Sequence, residues 1–260
     1  MSPSAHPADD ADGAAFLALW NGISDPALQS VYETWHACEH APERVASPGF
    51  IEGRRYRAGD APDYFTLYTM RDEQCVETDR YRDLIDHPTP WSAAMRPHLR
   101  AFIRRPCRLV FSIEAGCGPT GHLATMRLAV RNAATWIESM QEAAQRMVDR
   151  VDLLSVRVGV VPPDDRLAYP VGGPQPLAAR DGETALVLLA EHQDDRALRA
   201  GMDALAALDR SIGQSSTPCE IGRYTLQSAI RREKLHAPDG ERPMPRNALM
   251  KRFSIGDTTP

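Results

Sequence analysis

One order of secondary-structure elements occurs twice in this chain, and this repeat limits the possible folds more than any other feature. Apolar patterns, helix caps and turn residues predict strand–helix–strand–strand–helix–strand over residues 14–114, and the same order over residues 122–233. The Gly- and Pro-rich segment 115–121 separates the two halves. We therefore predict two modules joined by a short linker, followed by a tail over residues 234–260 that is extended or partly disordered.

Caps and breakers place the elements within each half. Asp25 followed by Pro26 predicts the start of a helix, and the breaker at residues 47–49 predicts its end near Val45. Asp72 is the predicted cap of a second helical stretch that ends near Asp86. In the second half, residues 132–148 and 194–208 form the corresponding predicted helices.

The order β-α-β-β-α-β is that of a ferredoxin-like module. Helices cover one face of such a sheet, so the other apolar face must be buried elsewhere. We predict an α+β fold of two tandem ferredoxin-like modules, with antiparallel sheets that pack together within one chain. In the alternative arrangement, each half packs against another subunit, so a homo-oligomer is also possible.

Composition excludes several classes of function. The chain has 30 Lys and Arg against 35 Asp and Glu, a net charge of −5, which argues against a general nucleic-acid binder. No apolar run approaches the roughly 18–20 residues that span a bilayer, so we expect no membrane partner. The N-terminus lacks the features of a signal peptide, and the odd number of cysteines includes no CxxC pair. Both observations predict a cytoplasmic protein with reduced thiols.

The sequence shows no cofactor motif. No GxGxxG or GxxxxGK[ST] follows a predicted strand, which argues against nucleotide binding. We predict no cofactor and no metal, although haem binding stays open because a single axial histidine leaves no spacing signature.

Residues able to carry chemistry are densest on the first predicted helix. His36 and His40 are four residues apart and share a helix face, with Glu39 and Glu43 beside them. His40 is our first candidate for a general acid or base, since imidazole titrates near neutral pH. The pattern His36-x-x-Glu39-His40 also matches an inverted zinc-peptidase motif, but the large domain that such enzymes need is missing. Glu39 and His40 could alternatively form a solvated helix face with Arg44.

Several segments of the first half resemble a known superfamily. They are Tyr32-x-x-Trp35-x-x-x-Glu39-His40-x-Pro42-Glu43-Arg44, Pro48-Gly49-Phe50, Arg54-Arg55-Tyr56, His87-Pro88-Thr89-Pro90-Trp91 and Pro97-His98. Together they resemble the dimeric α/β-barrel superfamily, and within it the EthD-like group and its uncharacterised bacterial relatives. The second half resembles the fold but has no Glu-His pair.

This resemblance implies a pocket between the sheet and helices of the first module. Its implied catalytic residues are His40, Glu39, Glu43 and His98, and its implied substrate-binding residues are His36, Arg54, Tyr68, Trp91 and Trp35. Strand alternation sends only one of Arg54 and Arg55 toward a pocket, where it would pair with a substrate carboxylate; Arg54 is the one in this set. The tryptophans could equally be packing residues of the core.

The resemblance is more specific for fold than for reaction, because the superfamily includes monooxygenases, isomerases, cyclases, haem enzymes and proteins without assigned activity. We predict a cofactor-independent enzyme that acts on a small, largely apolar oxygenated organic molecule by general acid/base catalysis, as an isomerase, cyclase, lyase or monooxygenase. The alternatives are a small-molecule-binding or carrier protein without turnover, and a structural protein with a filled core.

Overall fold

The eight strands of the described chain close into one antiparallel barrel. The computed structural model describes residues 13–59, 63–116, 120–163, 180, 182–216, 218–236 and 240–253. The strands are β1 (Ala15–Ile23), β2 (Phe50–Arg57), β3 (Asp63–Met70), β4 (Leu99–Glu114), β5 (His122–Val130), β6 (Ser155–Val160), β7 (Thr184–His192) and β8 (Glu220–Arg231). Around the barrel they follow the order β1-β3-β2-β8-β5-β7-β6-β4.

Each half contributes a four-stranded sheet with ferredoxin-like order. The first sheet reads β4-β1-β3-β2 and the second reads β8-β5-β7-β6. The two sheets join at both edges, where β2 pairs with β8 and β4 pairs with β6, all antiparallel. The predicted fold, two tandem modules forming an intrachain α/β barrel, is confirmed. Closure also leaves no sheet edge open to pair with other chains.

The helices pack on the outside of the barrel. They are α1 (Gln29–Trp35), a π-helical segment (His36–His40), α2 (Ala41–Val45), α3 (Asp79–Asp86), α4 (Pro90–Met95), α5 (Ala133–Asp149), α6 (Asp195–Ile212) and α7 (Asn247–Lys251). A 3-10 turn, Pro26–Leu28, precedes α1 directly. Because alternate strand residues point to opposite faces, Phe16, Ala18 and Trp20 lie in the barrel interior while Leu17 faces the helices.

The predicted helix starts are mostly observed. The side chains of Asp25, Asn132 and Asp194 each accept a hydrogen bond from a backbone N–H of the following turn, as an N-cap does. One prediction differs, because Asp72 caps only the short 3-10 turn Glu73–Glu77. Thr78 then caps α3, since its hydroxyl accepts from the N–H of Tyr81.

The tail differs from the extended segment that the sequence predicts. It contains α7, and its apolar residues Leu249, Met250 and Phe253 pack against the first module around Trp91.

Candidate functional site

A cavity lies in the first module between the outer face of the barrel and the helices. Its empty volume is about 530 Å³, a figure that includes open solvent at the mouth. Strands β1 to β4 supply its floor and the helical segment from α1 to α2 supplies one wall. The lining residues are Leu19, Asn21, Tyr32, Trp35, His36, His40, Arg44, Arg55, Thr66, Tyr68, Tyr81, Arg96, Leu99 and Phe102.

The π-helical segment positions both cavity histidines. The N–H of Ala41 donates to the carbonyl of His36, five residues back, instead of four as in an α-helix. Pro42 gives the physical reason, because it has no N–H and its ring would clash with the carbonyl of Cys38 in a regular helix. The helix accommodates this clash by widening, and the rings of His36 and His40 come to lie 5.3 Å apart. Widened turns of this kind occur frequently at functional sites.

His36 lies in the helical wall of the cavity and is buried. Its Nε2 is 3.5 Å from the hydroxyl oxygen of Thr66, a long contact, and that oxygen also accepts a 2.5 Å hydrogen bond from Arg55. Which of the two groups donates in this contact depends on which ring nitrogen of His36 carries the proton. Burial, followed by the positive charge of Arg55, holds the pKa of His36 well below the ordinary value of 6.5.

His40 lies nearer the mouth and packs against Trp35, with ring centroids 4.4 Å apart. The pKa of His40 is also well below its ordinary value, because of burial first and then the charges of Arg44 and Arg55. Both imidazoles are therefore neutral at pH 7 and can accept a proton. Within the described residues, the buried Nδ1 atoms of His36 and His40 have no hydrogen-bond partner.

Arg55, which belongs to β2, lies beside both histidines. Its guanidinium donates to the hydroxyl of Tyr32 at 2.5 Å and to the side chain of Asn21 at 3.4 Å, in addition to Thr66. It also lies 4.2 Å from the ring centroid of Tyr64 and 4.9 Å from that of Tyr32. The cavity thus combines two neutral bases with a buried cation.

Four of the residues predicted for the site line this cavity: His36, His40, Trp35 and Tyr68. Tyr68 is placed by β3, directly opposite Gly53 of β2. A methyl group at position 53 would lie 2.9 Å from the Tyr68 ring, so the glycine provides the space for that ring.

The two predicted catalytic glutamates do not line the cavity. Glu39 is buried and accepts hydrogen bonds from the hydroxyl of Thr89 and from the backbone N–H of Arg246, both at 2.6 Å. Glu43 is buried and forms an ion pair with Arg242. Burial raises the pKa of Glu43 against the opposing effect of Arg44 and Arg242. Glu39 therefore connects the π-helical segment to the start of α4 and to the tail, and Glu43 connects α2 to the tail.

Arg54, Trp91 and His98 lie outside the cavity as well. Arg54 points into the barrel interior, where it pairs with Glu52 at 2.7 Å and Glu191 at 3.3 Å. Trp91 is fully buried, 5.9 Å from the ring of Phe253, and belongs to the core. His98 ends the 3-10 turn Arg96–His98, and its carbonyl accepts a hydrogen bond from the N–H of Ser24.

Several cavity residues were absent from the predicted set, above all Arg55 and Thr66. These two lie directly opposite each other on β2 and β3. Thr66 is two residues from Tyr68, so strand alternation from Tyr68 was the available signal. Once the register of β2 and β3 is known, the same alternation shows that Arg55, opposite Thr66, faces the cavity and that Arg54 does not.

Among its described residues, the second module offers no equivalent set of groups. Trp136, on its first helix, is fully buried in the core, and its indole N–H donates to Asp209 at 2.8 Å. Ser215 donates to the same carboxylate. Aromatic and aliphatic side chains fill this space, so the chemistry of the described chain is concentrated in the first module.

The sequence matches no known family model and no curated protein. Solved structures do match. An anthrone oxidase-like protein aligns with a TM-score of 0.60 at 12% identity, over 87% of this chain and 97% of that chain. A protein of Fusobacterium nucleatum, named as a candidate monooxygenase, aligns with a TM-score of 0.51 at 7% identity, over 84% and 95%. A similarly named protein of Lactobacillus acidophilus aligns with a TM-score of 0.50 at 7% identity, over 84% and 97%.

At these identities the likeness shows the fold alone. The chain has the ferredoxin-like fold of the dimeric α/β-barrel proteins, with both halves of the barrel in one polypeptide. No helix in the described ranges is long and apolar enough to cross a membrane. No group of three or more His, Cys, Asp or Glu converges as a metal site in that part of the chain.

Proposed function

We propose that the protein is an enzyme that acts on a small oxygenated organic molecule by general acid/base catalysis in this cavity, without a dissociable cofactor. One observation carries the proposal: two neutral imidazoles with depressed pKa values lie beside a buried guanidinium in a cavity that opens to solvent. Perturbed titratable groups in a cleft are typical of functional sites.

The proposed roles follow from position. His40, nearer the mouth, accepts a proton from a C–H or O–H group of the substrate. Arg55 stabilises the negative charge that then develops on the substrate oxygen, as a fixed donor does in an oxyanion hole. Returning the proton to another atom completes an isomerisation or cyclisation. In an oxygenation, the carbanion adds to dioxygen, the resulting peroxide takes up the proton from His40, and loss of water leaves a carbonyl group on the substrate. His36, held by Thr66, is the second proton carrier.

The glutamates have a different role in this proposal from the one that the sequence suggests. Because Glu39 and Glu43 hold α4 and the tail, they act as structural anchors of the catalytic helix. The solved structures named as monooxygenases share the fold and agree with the oxygenase form of the reaction. The EthD-like resemblance, which depends on the Glu39-His40 pair, remains part of the proposal.

The test is turnover of oxygenated aromatic compounds by the purified full chain, followed by mass spectrometry of products and by dioxygen uptake. Replacing His40 by Gln should lower kcat about 10²- to 10⁴-fold, the usual contribution of a general base. His87→Gln is the matched control, because His87 is exposed and pairs with Asp83 outside the cavity. Full activity of a folded His40→Gln protein would contradict the proposal.

The second candidate is a binding or carrier protein without turnover. It is favoured by the engagement of Glu39 and Glu43 elsewhere, which leaves neither predicted carboxylate in the cavity to activate a histidine. Native mass spectrometry separates the two candidates. A carrier should retain an unchanged small molecule through purification, and its His40→Gln variant should lose affinity only.

A further inference from the structure

We infer that the ligand of this cavity is an aromatic molecule with an ionised oxygen, a carboxylate or a phenolate, and that Arg55 is the residue that recognises it. The inference deepens the proposed function and rests on the same cavity. It names the chemical class of the substrate.

The first observation is the set of partners that Arg55 has. Its guanidinium is bonded to one amide oxygen and two hydroxyl groups and contacts two tyrosine rings, all of them neutral. In the described part of the chain no carboxylate pairs with it. The residue is only 5% exposed. A buried cation without an anion carries a desolvation cost of several kcal/mol, which an anionic ligand would offset.

The neighbouring arginine provides an internal comparison. Arg54 is similarly buried, at 8% exposure, and has two carboxylate partners, Glu52 and Glu191. The protein therefore supplies acidic partners for a buried arginine where the role is structural. Tyr64, whose ring contacts Arg55, donates its hydroxyl hydrogen bond to Glu33, and Glu33 forms its ion pair with Arg57.

The second observation is the charge of the cavity as a whole. Among the described residues, the cavity lining includes three arginines, Arg44, Arg55 and Arg96, and no Asp or Glu. Arg96 donates to the carbonyls of Leu84 and Ile85, so the last turn of α3 holds it in place. These three cations also contribute to the low pKa of His40, after burial, so His40 stays neutral and the arginines supply the charge of the cavity lining.

The third observation is the shape and chemistry of the walls. Tyr32, Trp35, Tyr81 and Phe102 present aromatic surface, and Leu19 and Leu99 add aliphatic surface. A flat aromatic ring would pack between such walls while its charged oxygen reaches a guanidinium. The Nε of Arg55 is buried and makes no hydrogen bond to any described residue.

Two probes of the same shape test the inference by isothermal titration calorimetry on the full chain. Naphthalene-2-carboxylate should bind about 10- to 100-fold more tightly than naphthalene-2-carboxamide, as expected for a charge-assisted hydrogen bond. For the phenolate form, 4-nitrophenol absorbs visible light as the anion, and binding should shift its ionisation toward lower pH. Preference for one of the two anions identifies the oxygen group.

Variants assign the effect to Arg55. Arg55→Met should remove the carboxylate preference and the shift of 4-nitrophenol. Arg82→Met is the matched control, because it removes one positive charge of the same module from an exposed side chain and should leave both effects unchanged. Circular dichroism establishes that each variant is folded. If Arg55→Met is unfolded, Arg55→Gln replaces it, and the comparison of probes on the unaltered protein stands without any variant.

Three results would overturn the inference: equal binding of carboxylate and amide together with no shift in the ionisation of 4-nitrophenol, no binding of any of the three probes, or an unchanged preference in a folded Arg55 variant. These results are distinct from failure of the proposed function. Carboxylate preference in a protein that turns over no compound would support the anionic ligand and contradict the enzyme. Turnover of a neutral compound without any anion preference would support the enzyme and contradict the anionic ligand.

Discussion

Arg54 and Arg55 are neighbours on β2, and their guanidinium groups lie on opposite faces of the barrel wall. Arg54 points inward and connects the two modules through Glu191 of β7. Arg55 points outward into the cavity and contacts only neutral groups in the described chain. Strand alternation alone separates a structural arginine from a binding arginine by one position.

Replacing Arg54 by Met should therefore destabilise the protein without changing the cavity. The substitution leaves Glu191 buried, with Thr120 as its remaining partner. Breaking a buried pair in this way costs about 3–5 kcal/mol in free energy of unfolding. Urea unfolding measures the loss, and the double variant with Glu191→Gln should recover part of it. A loss below about 1 kcal/mol in the single variant would show that the pair contributes little.

The pH dependence of catalysis should report the environment of His40. Its neutral form is the base, and its pKa lies well below 6.5, so kcat/KM should stay on its plateau as pH falls through 6.5 and decline only at lower pH. Arg55 is one cause of the low pKa, so Arg55→Met should move the acid limb toward higher pH. Initial-rate measurements of kcat/KM across pH give both profiles. An acid limb at or above 6.5 in the unaltered protein would contradict the assignment.

The fold was predictable because its signals are local. Caps such as Asn132 and Asp194 and the two repeated element orders define each module, and the need to bury both sheets defines the barrel. The position of the cavity between sheet and helices follows from the same order, and the alternation of β3 explains why Tyr68 faces it.

The composition of the site depends on contacts between residues far apart in the chain, and the sequence pattern does not predict such contacts. The roles of Glu39 and Glu43 are decided by Arg246 and Arg242, about 200 residues away in the chain. The choice between Arg54 and Arg55 depends on strand register, and the π-helical turn depends on how Pro42 is accommodated. Spacing on an ideal helix contains none of this information.

Stability should fall as pH decreases below neutrality, and His36 should contribute to this. Its pKa in the folded state lies below the unfolded value of 6.5, so the unfolded chain binds more protons in that interval. The stabilisation is complete above pH 6.5 and is lost as pH falls toward the folded pKa, by up to about 1.4 kcal/mol per pH unit. Urea unfolding at several pH values should show a shallower dependence for His36→Gln. An equal slope in both proteins would exclude His36 as a source.

The ion pair between Glu43 and Arg242 should hold the tail on the first module. Arg242 also donates to the carbonyl of His87 at 2.7 Å. Arg242→Met should lower the free energy of unfolding by about 1–3 kcal/mol, because Glu43 then remains buried without its ion-pair partner. It should also speed proteolysis near α7. Lys251→Met is the control, since Lys251 lies in the same tail and is exposed; equal effects of the two substitutions would contradict the pairing.

Gly53 should be required for the cavity wall, because its missing side chain accommodates Tyr68. In Gly53→Ala the new methyl group would lie 2.9 Å from the Tyr68 ring and 3.0 Å from Val45. Overpacking of this kind costs about 1–3 kcal/mol, and the ring should be displaced toward the cavity and weaken binding of the naphthalene probe. Gly121→Ala is the matched control, since its nearest contact would be 3.5 Å. Unchanged stability and probe affinity in Gly53→Ala would show that Tyr68 moves freely and does not shape the cavity.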